Sequence, residues 1–305
     1  MSSSKPAYIE TGRARAKINL TLHVGRAIED GRYAGYHPVD SLVVFAGAAD
    51  RLAYSLCNKK LSLELSGLFG ANLKSEGDNL VLRAARAFYD RAKIPALGSL
   101  RLEKCLPLAS GMGGGSADAA AVLRLLFWEH CAQDNPSVPA KLTPTDMMEL
   151  AENIGADVPV CYLSQTSHMS GIGEVVTPIP NLGRIPAILV NPGFAVSTPE
   201  IFKAFDQAER AVKPTPQLGK GDLLTRAKAG RNDLQDIAIN LRPEIGDIIA
   251  RLSKLKGCQL ARMTGSGATC FAIFENFEQA VAGRDIIMSA SPHYWCRATL
   301  FGDVP

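Results

Sequence analysis

Residues 107–122 read PLASGMGGGSADAAAV. The glycines Gly111, Gly113, Gly114 and Gly115 and the serines Ser110 and Ser116 are packed together here, and an alanine-rich run follows at once. Glycine has no Cβ to hold a ligand away from the backbone, and it tolerates φ > 0. Its N–H groups can therefore turn inward as a nest for anionic oxygens. Ser116 is expected to open a helix over residues 117–128, whose start offers free N–H donors and the positive end of the macrodipole. The stretch predicts a phosphate loop feeding a helix. The plain alternative is a glycine-rich connection, which seldom needs a cluster fused to a helix start. No Gly-Lys-Ser/Thr follows, so this is not a Walker A loop. The glycine spacing is not that of a dinucleotide fingerprint either.

Upstream, residues 14–24 alternate strictly between Ala14, Ala16, Ile18, Leu20, Leu22, Val24 and Arg15, Lys17, Asn19, Thr21, His23. The pattern predicts one half-buried strand with Lys17 and Asn19 as neighbours on its polar face, which is ordinarily a solvated face. Residues 25–38 form a loop carrying Tyr33, Tyr36 and His37. An aromatic face and an imidazole edge suit a heterocycle, and equally suit plain packing. Residues 41–46, 51–56 and 61–66 read as further strands of an antiparallel set. Asn79 is placed to cap a helix over 80–91. Residues 99–106 alternate again and lead into the glycine loop.

Downstream, a polar loop is expected at 133–141. Thr143-Pro144-Thr145-Asp146 has the form of a capping box with proline at the first helical position, and Gly155 ends that helix. Asp157 follows as the one carboxylate of an apolar run. Such a residue usually caps a turn, and otherwise serves as a desolvated base. Residues 185–191 read as a buried strand, and Thr198-Pro199-Glu200 as a helix start carrying Phe202. Residues 206–231 are expected to be irregular. Pro243 opens an amphipathic helix with Ile245, Ile248, Ile249, Leu252 and Leu255 on one face. A second small-residue cluster, Met263-Thr264-Gly265-Ser266-Gly267-Ala268-Thr269, runs into a strand at 270–274, and its plain reading is a hairpin turn. A helix over 277–288 and a strand over 294–301 complete the pattern.

The chain has 305 residues, 47% hydrophobic and 21% charged, with a net charge of +3. This is the composition of a globular protein of one large domain or two modest ones. The charge is too small, and too evenly spread, to argue for a nucleic-acid partner. No apolar stretch is long enough to span a membrane, and residues 1–17 lack the apolar core of a secretory signal. Seven scattered cysteines without a C-x-x-C pair suit a reduced, cytoplasmic protein. The five histidines show no zinc-ligand spacing, so no protein-built metal site is expected.

Five segments, in order, resemble the galactokinase, homoserine kinase, mevalonate kinase and phosphomevalonate kinase (GHMP) superfamily. They are Ala16-Lys17-Ile18-Asn19-Leu20, Gly35-Tyr36-His37, residues 107–121, Gly155-Ala156-Asp157-Val158-Pro159 and residues 263–271. The glycine loop alone points only to the superfamily. Gly-Tyr-His with Gly-Ala-Asp-Val-Pro is similar to the branch that phosphorylates a hydroxyl on the polyol part of a cytidine diphosphate compound, in the non-mevalonate route to isoprenoid precursors. The resemblance implies an α+β fold in two lobes, residues 1–164 holding ATP and residues 165–305 helping to hold substrate, with the active site in the cleft between. It implies ATP and Mg²⁺ as cofactors, a small-molecule substrate, and a monomer or weak homodimer.

The roles implied by the resemblance are specific. Asp157 would accept the hydroxyl proton and Lys17 would be its charge partner. Pro107, Ser110, Gly111, Gly113, Gly114, Gly115 and Ser116 would cradle the ATP phosphates. Asn19 would touch the polyol or diphosphate. Tyr36 and Phe202 would sandwich the cytosine while His37 reads its edge. Thr198, Gly265, Ser266 and Gly267 would approach the phosphates. This chain departs from the usual Asp-Gly-Tyr-His by inserting Arg32-Tyr33-Ala34 before Gly35, which leaves Tyr33 as a rival to Tyr36. Another kinase of the superfamily, or a non-catalytic nucleotide binder on the same fold, are the competing readings. The first lacks a base to stack, and the second has no use for Lys17 with Asp157.

Overall fold

In the computed structural model, which describes residues 10–73, 79–131, 142–180, 182–208 and 221–303, the alternating segment forms β1 (Glu10–Asn19) and β2 (His23–Val24) with a break at residues 20–22. The single expected strand is interrupted because its backbone changes partner. Leu20 N–H donates to Leu42, whereas Leu22 N–H donates to Arg231. Nor is the polar face solvated: Lys17, Asn19, Thr21 and His23 are all at most 4% exposed. Buried polar groups need partners, and the start of β3 (Val39–Lys60) supplies them. Asn19 Nδ2 donates to Ser41 Oγ at 2.7 Å, Leu42 N–H donates to Thr21 Oγ1, and His23 Nδ1 pairs with Asp40. Strands expected at 41–46 and 51–56 are one continuous strand, since the small residues Ala46, Gly47, Ala48 and Ala49 between them continue extended.

The chain continues through β4 (Ser62–Ser66), α1 (Leu80–Ala92), β5 (Leu97–Glu103), α2 (Gly114–Cys131), α3 (Pro144–Ile154) and α4 (Val158–Leu163). Next come β6 (Ser167–Ser170), β7 (Val175–Pro178), β8 (Arg184–Asn191), α5 (Thr198–Gln207), α6 (Leu223–Ala229), α7 (Gln235–Leu241) and α8 (Pro243–Ser253). The remaining elements are β9 (Cys258–Met263), β10 (Cys270–Phe274), α9 (Phe277–Ala290) and β11 (Trp295–Gly302). The polar loop expected at 133–141 lies outside the described residues, as does part of 206–231. The described part of that second stretch is not wholly irregular. Asp222 accepts from Thr225 N–H and caps α6, a start signal hidden among glycines and lysines.

Two compact units emerge. The first comprises residues 1–15, 49–106 and 114–163, and the second residues 16–48, 107–113 and 164–305. One junction falls between Leu163 and Ser164. In the first unit, β4 runs parallel to β5, and β5 runs antiparallel to the second half of β3. Helix α2 packs on α1 and α4. The core there includes Phe88, Tyr54 and Tyr89, the two tyrosine hydroxyls meeting at 2.9 Å and Tyr89 donating to the Leu97 carbonyl.

In the second unit the strand order is β11-β8-β10-β9, all antiparallel neighbours. The start of β3 pairs with β2 and β6, and Ala46 with Phe301 of β11. Helices α8 and α9 pack on these strands. The period read for α8 is borne out: Ile245, Ile248 and Leu252 are buried, and Ile249 and Leu255 pack beside them.

Candidate active site

Within the second unit the two glycine clusters, more than 150 residues apart in sequence (265 − 111 = 154), lie backbone against backbone. Gly111 has φ +74°, and a Cβ built on it would meet Thr264 O at 2.5 Å and Gly267 O at 2.7 Å. Gly265, at φ +56°, would meet Gly111 O at 2.5 Å in the same way. Only glycine permits that approach at both positions. The second cluster is indeed the connection of the β9–β10 hairpin, with Met263 opposite Cys270. The hairpin reading therefore holds. Thr269 N–H donates to Ser110 O, and Thr264 N–H to Thr269 O, tying hairpin to loop.

Lys17 and Asn19 reach the same place from β1. Lys17 N–H donates to Met112 O at 2.9 Å, and a Cβ on Gly113 would meet the Lys17 side chain at 3.3 Å. Asn19 N–H donates to Thr264 Oγ1 at 2.9 Å. Thr198, at the start of α5, pairs through its hydroxyl with Ser266 Oγ at 2.8 Å. The cap of α5 is Ser197 rather than Thr198, which leaves the Thr198 hydroxyl available to the hairpin. Val196 N–H donates to Ala109 O. The loop end 107–113, Lys17, Asn19, Thr198 and residues 265–267 are thus one constellation.

Two residues that sequence reasoning missed hold it. Asn232 donates to the carbonyls of Met263 and Gly265, both at 2.9 Å, and accepts from Leu234 N–H. Arg262 is 9% exposed and donates to Leu20, Ala227 and Gly230 carbonyls. Burial brings its guanidinium down to about 10. Neither sits in a recognisable motif; an arginine amid a strand reads as an exposed charge until its carbonyl partners are seen.

The aromatic group is also in the second unit. The loop that carries the inserted residues closes on itself, with Gly35 N–H donating to Ile28 O and Ile28 N–H to Tyr36 O. His37 is buried and stacks on Phe202, with ring centroids 4.8 Å apart and planes tilted 35°. Phe205 presents its edge to the same imidazole. His37 Nε2 lies 2.7 Å from Asp206 Oδ1. Tyr36 is 54% exposed, and its described ring neighbour is Tyr33 at 6.4 Å, not Phe202.

In the first unit, α2 begins at Gly114, earlier than the expected start after Ser116. Gly114, Gly115 and Ser116 are therefore its first helical residues, whose N–H groups have no intrahelical acceptor. Beneath them lies a buried charged cluster. Lys104 Nζ donates to Asp118 Oδ2 at 2.6 Å and to Asp50, and lies 3.6 Å from where a Gly114 Cβ would sit. Asp50 also accepts from the N–H groups of Cys105 and Leu106. Burial pushes the Asp118 carboxyl up to about 8, against the pull of Lys104. Burial alone would lower the Lys104 ammonium, but Asp118 and Asp50 outweigh it and hold it above its ordinary value. Asp118 stood in the opening stretch as one letter among alanines and offered no signal of its own. Asp157 is partly buried just ahead of α4, and its carbonyl accepts the Cys161 N–H. Among the described residues no group of three or more His, Cys, Asp or Glu side chains is arranged to hold a metal ion, and no helix is long and apolar enough to cross a membrane.

The model of the GHMP kinases N terminal domain matches residues 79–165, and that of the GHMP kinases C terminal region matches residues 216–290. A 4-diphosphocytidyl-2-C-methyl-D-erythritol kinase of Rhodopseudomonas palustris (strain HaA2) is 39% identical over 96% of this chain and 98% of its own length. The enzyme of the same name from Paracoccus denitrificans (strain Pd 1222) is 43% identical over 94% of each. A crystal structure of 4-(cytidine 5'-diphospho)-2C-methyl-D-erythritol kinase superposes with a TM-score of 0.75 at 28% identity, covering 97% of this chain and all of that one. A mevalonate kinase from L. major shares the fold at 16% identity, with a TM-score of 0.65 over 98% of both chains.

Proposed function

From the premise that the chain belongs to the 4-diphosphocytidyl-2-C-methyl-D-erythritol kinase family of the GHMP kinases, we propose that it transfers the γ-phosphoryl group of ATP to a hydroxyl of 4-diphosphocytidyl-2-C-methyl-D-erythritol, a step toward isoprenoid precursors. The observation that carries the reading is the interlock of Gly111 with Thr264, Gly265 and Gly267, with Lys17 on one side and Thr198 on the other. It brings Lys17 and the paired hydroxyls of Thr198 and Ser266 to the two glycine loops, residue types suited to stabilising the charge of a transferring phosphoryl group, and this supports the reading.

Phosphoryl transfer asks a protein mainly for positioning and electrostatics. In this reading the N–H groups at the start of α2, with Ser110, Gly111, Gly113 and Ser116 about them, hold the ATP phosphates, and Pro107 sets the entry of the loop. The glycines fit that role, because side chains at 111 and 113 would fill the space the backbone needs. Mg²⁺, when bound, would neutralise charge on the phosphates, and among the described residues no cluster of three or more His, Cys, Asp or Glu side chains is gathered to hold it. Asp157 accepts the proton as the hydroxyl oxygen bonds to phosphorus and the bond to ADP breaks. Lys17 is the charge partner of that carboxylate and steadies charge at the reacting oxygen. Asn19 orients the polyol or diphosphate. Thr198, Gly265, Ser266 and Gly267 line the path of the phosphates. His37 reads the cytosine edge, and Phe202 and Tyr36 close on its faces, Tyr36 turning in from its exposed position. Stacked base and diphosphate supply binding energy remote from the reaction, which a methyl-polyol alone lacks.

The test is a single-turnover incubation with ATP, Mg²⁺ and 4-diphosphocytidyl-2-C-methyl-D-erythritol, followed by phosphorus NMR. A new monoester signal beside the intact diphosphate is expected. Asp157→Asn should bind both ligands and give no monoester. Absence of product from the wild type with ATP bound would overturn the substrate assignment.

A further inference from the structure

We infer that Asp206 is a specificity-determining positioning residue: by accepting the Nε2 proton of His37 it fixes the imidazole with a bare Nδ1, and so makes the site select an amino-bearing pyrimidine over its oxo counterpart. The inference rests on the reading of His37 as the base-recognising residue given above.

The argument begins with what each group can do. An ionised carboxylate only accepts hydrogen bonds, so at 2.7 Å the proton between Asp206 and His37 belongs to Nε2. In the neutral ring the other nitrogen is then an acceptor. Cytosine presents an amino donor at position 4, whereas uracil presents a carbonyl acceptor there. A bare Nδ1 is matched to the first and repels the second. A site built to pair one group leaves a buried polar atom unpaired when the analogue binds, which is the strong form of discrimination.

The setting of the pair supports a dedicated role. The His37 side chain is 5% exposed, and that of Asp206 is 48% exposed. The ring contacts Phe202 and Phe205, which stand four residues and one residue before Asp206 on α5. The imidazole can therefore neither tip nor rotate freely, and its orientation is read by a carboxylate carried on the helix that packs it. Asp206 also stands in the last turn of α5, where the macrodipole disfavours an anion. Its bond to His37 is what offsets that placement.

The experiment compares kcat/KM for the cytidine substrate and for its uridine counterpart in wild type, D206A, D206E and H37A. D206A is expected to shrink the cytidine preference by about tenfold, the discrimination carried by one hydrogen bond. The change should fall on KM, with kcat for the cytidine substrate nearly unchanged, and D206E should restore most of it. Thermal stability of D206A should change little, since the lost bond to His37 and the lost helix-end charge act in opposite directions. Nitrogen-15 spectra of the His37 ring should report the Nε2–H tautomer in wild type and a mixture in D206A. If H37A abolishes the preference and D206A leaves it intact, the Asp206 inference fails and the base-reading assignment stands. A preference unchanged in H37A would overturn both, and an unchanged tautomer in D206A would overturn the inference alone.

Discussion

At the scale of single residues, Gly111 is the loop position with least room for a side chain. Alanine there would place a methyl group 2.5 Å from the Thr264 carbonyl in a backbone conformation it dislikes. Gly113 has a similar φ, yet its nearest neighbour is the Lys17 side chain at 3.3 Å, which can move. Gly111→Ala should therefore cost more than about 2 kcal/mol of stability, a strain-plus-clash case, and weaken nucleotide binding. Gly113→Ala should cost about 1–2 kcal/mol, the left-handed penalty alone. Urea midpoints and nucleotide titration check both. The sequence made the glycines legible but not their unequal burden, because what crowds Gly111 arrives from beyond residue 260. The same holds for His37: Phe202 was expected against the base rather than against the imidazole, and Asp206 stood in a stretch read as irregular.

At the scale of elements, the helices start where their side chains say. Asn79 accepts from Val81 N–H at 2.9 Å, and Thr143 with Asp146 forms the reciprocal box. Asn79→Ala should lower stability by about 1 kcal/mol, read as a shift in urea midpoint with an unchanged slope, and should leave kcat intact. Elements governed by local rules were readable from sequence: the caps at Asn79 and Thr143, the α8 stripe, and the strand that follows the second glycine cluster. Those governed by distant partners were not. The break between β1 and β2 comes from a switch of backbone acceptor from Leu42 to Arg231, which no periodicity encodes. The burial of Lys17, Asn19, Thr21 and His23 was hidden likewise, because alternation cannot tell a polar face that meets water from one that meets hydroxyls and carboxylates.

At the scale of the molecule, the Asp50–Lys104–Asp118 cluster joins β3, the approach to the glycine loop and α2 in the first unit. The Asp118 carboxyl is raised from 3.8 to about 8 by burial, so the folded state holds a proton that the unfolded state releases. Stability is then greatest below pH 4 through this group, and falls as pH rises toward 8. Asp118→Asn should flatten that dependence, as seen in urea midpoints between pH 5 and 9. The two tryptophans allow the units to be followed apart, since Trp128 lies in the first and Trp295 in the second. In a Trp128→Phe protein, fluorescence follows the second unit alone. Gly111→Ala should move that signal, whereas Asp118→Asn should act on the signal of a Trp295→Phe protein.

The pairing of Phe301 with Ala46 also has a consequence for how the chain is born. The 255 residues from Gly47 to Phe301 (301 − 46) must be made before β11 can settle between β8 and β3. At about 5–20 residues per second of synthesis, that is a wait of roughly 13 to 50 seconds. Throughout it the apolar side of residues 14–24, and the edge of β8 once residues 184–191 are made, are on offer to whatever meets them at the ribosome exit. Nascent chains stalled short of residue 295 should therefore engage chaperones and be cut readily by protease, whereas full-length chains should be released into a resistant form.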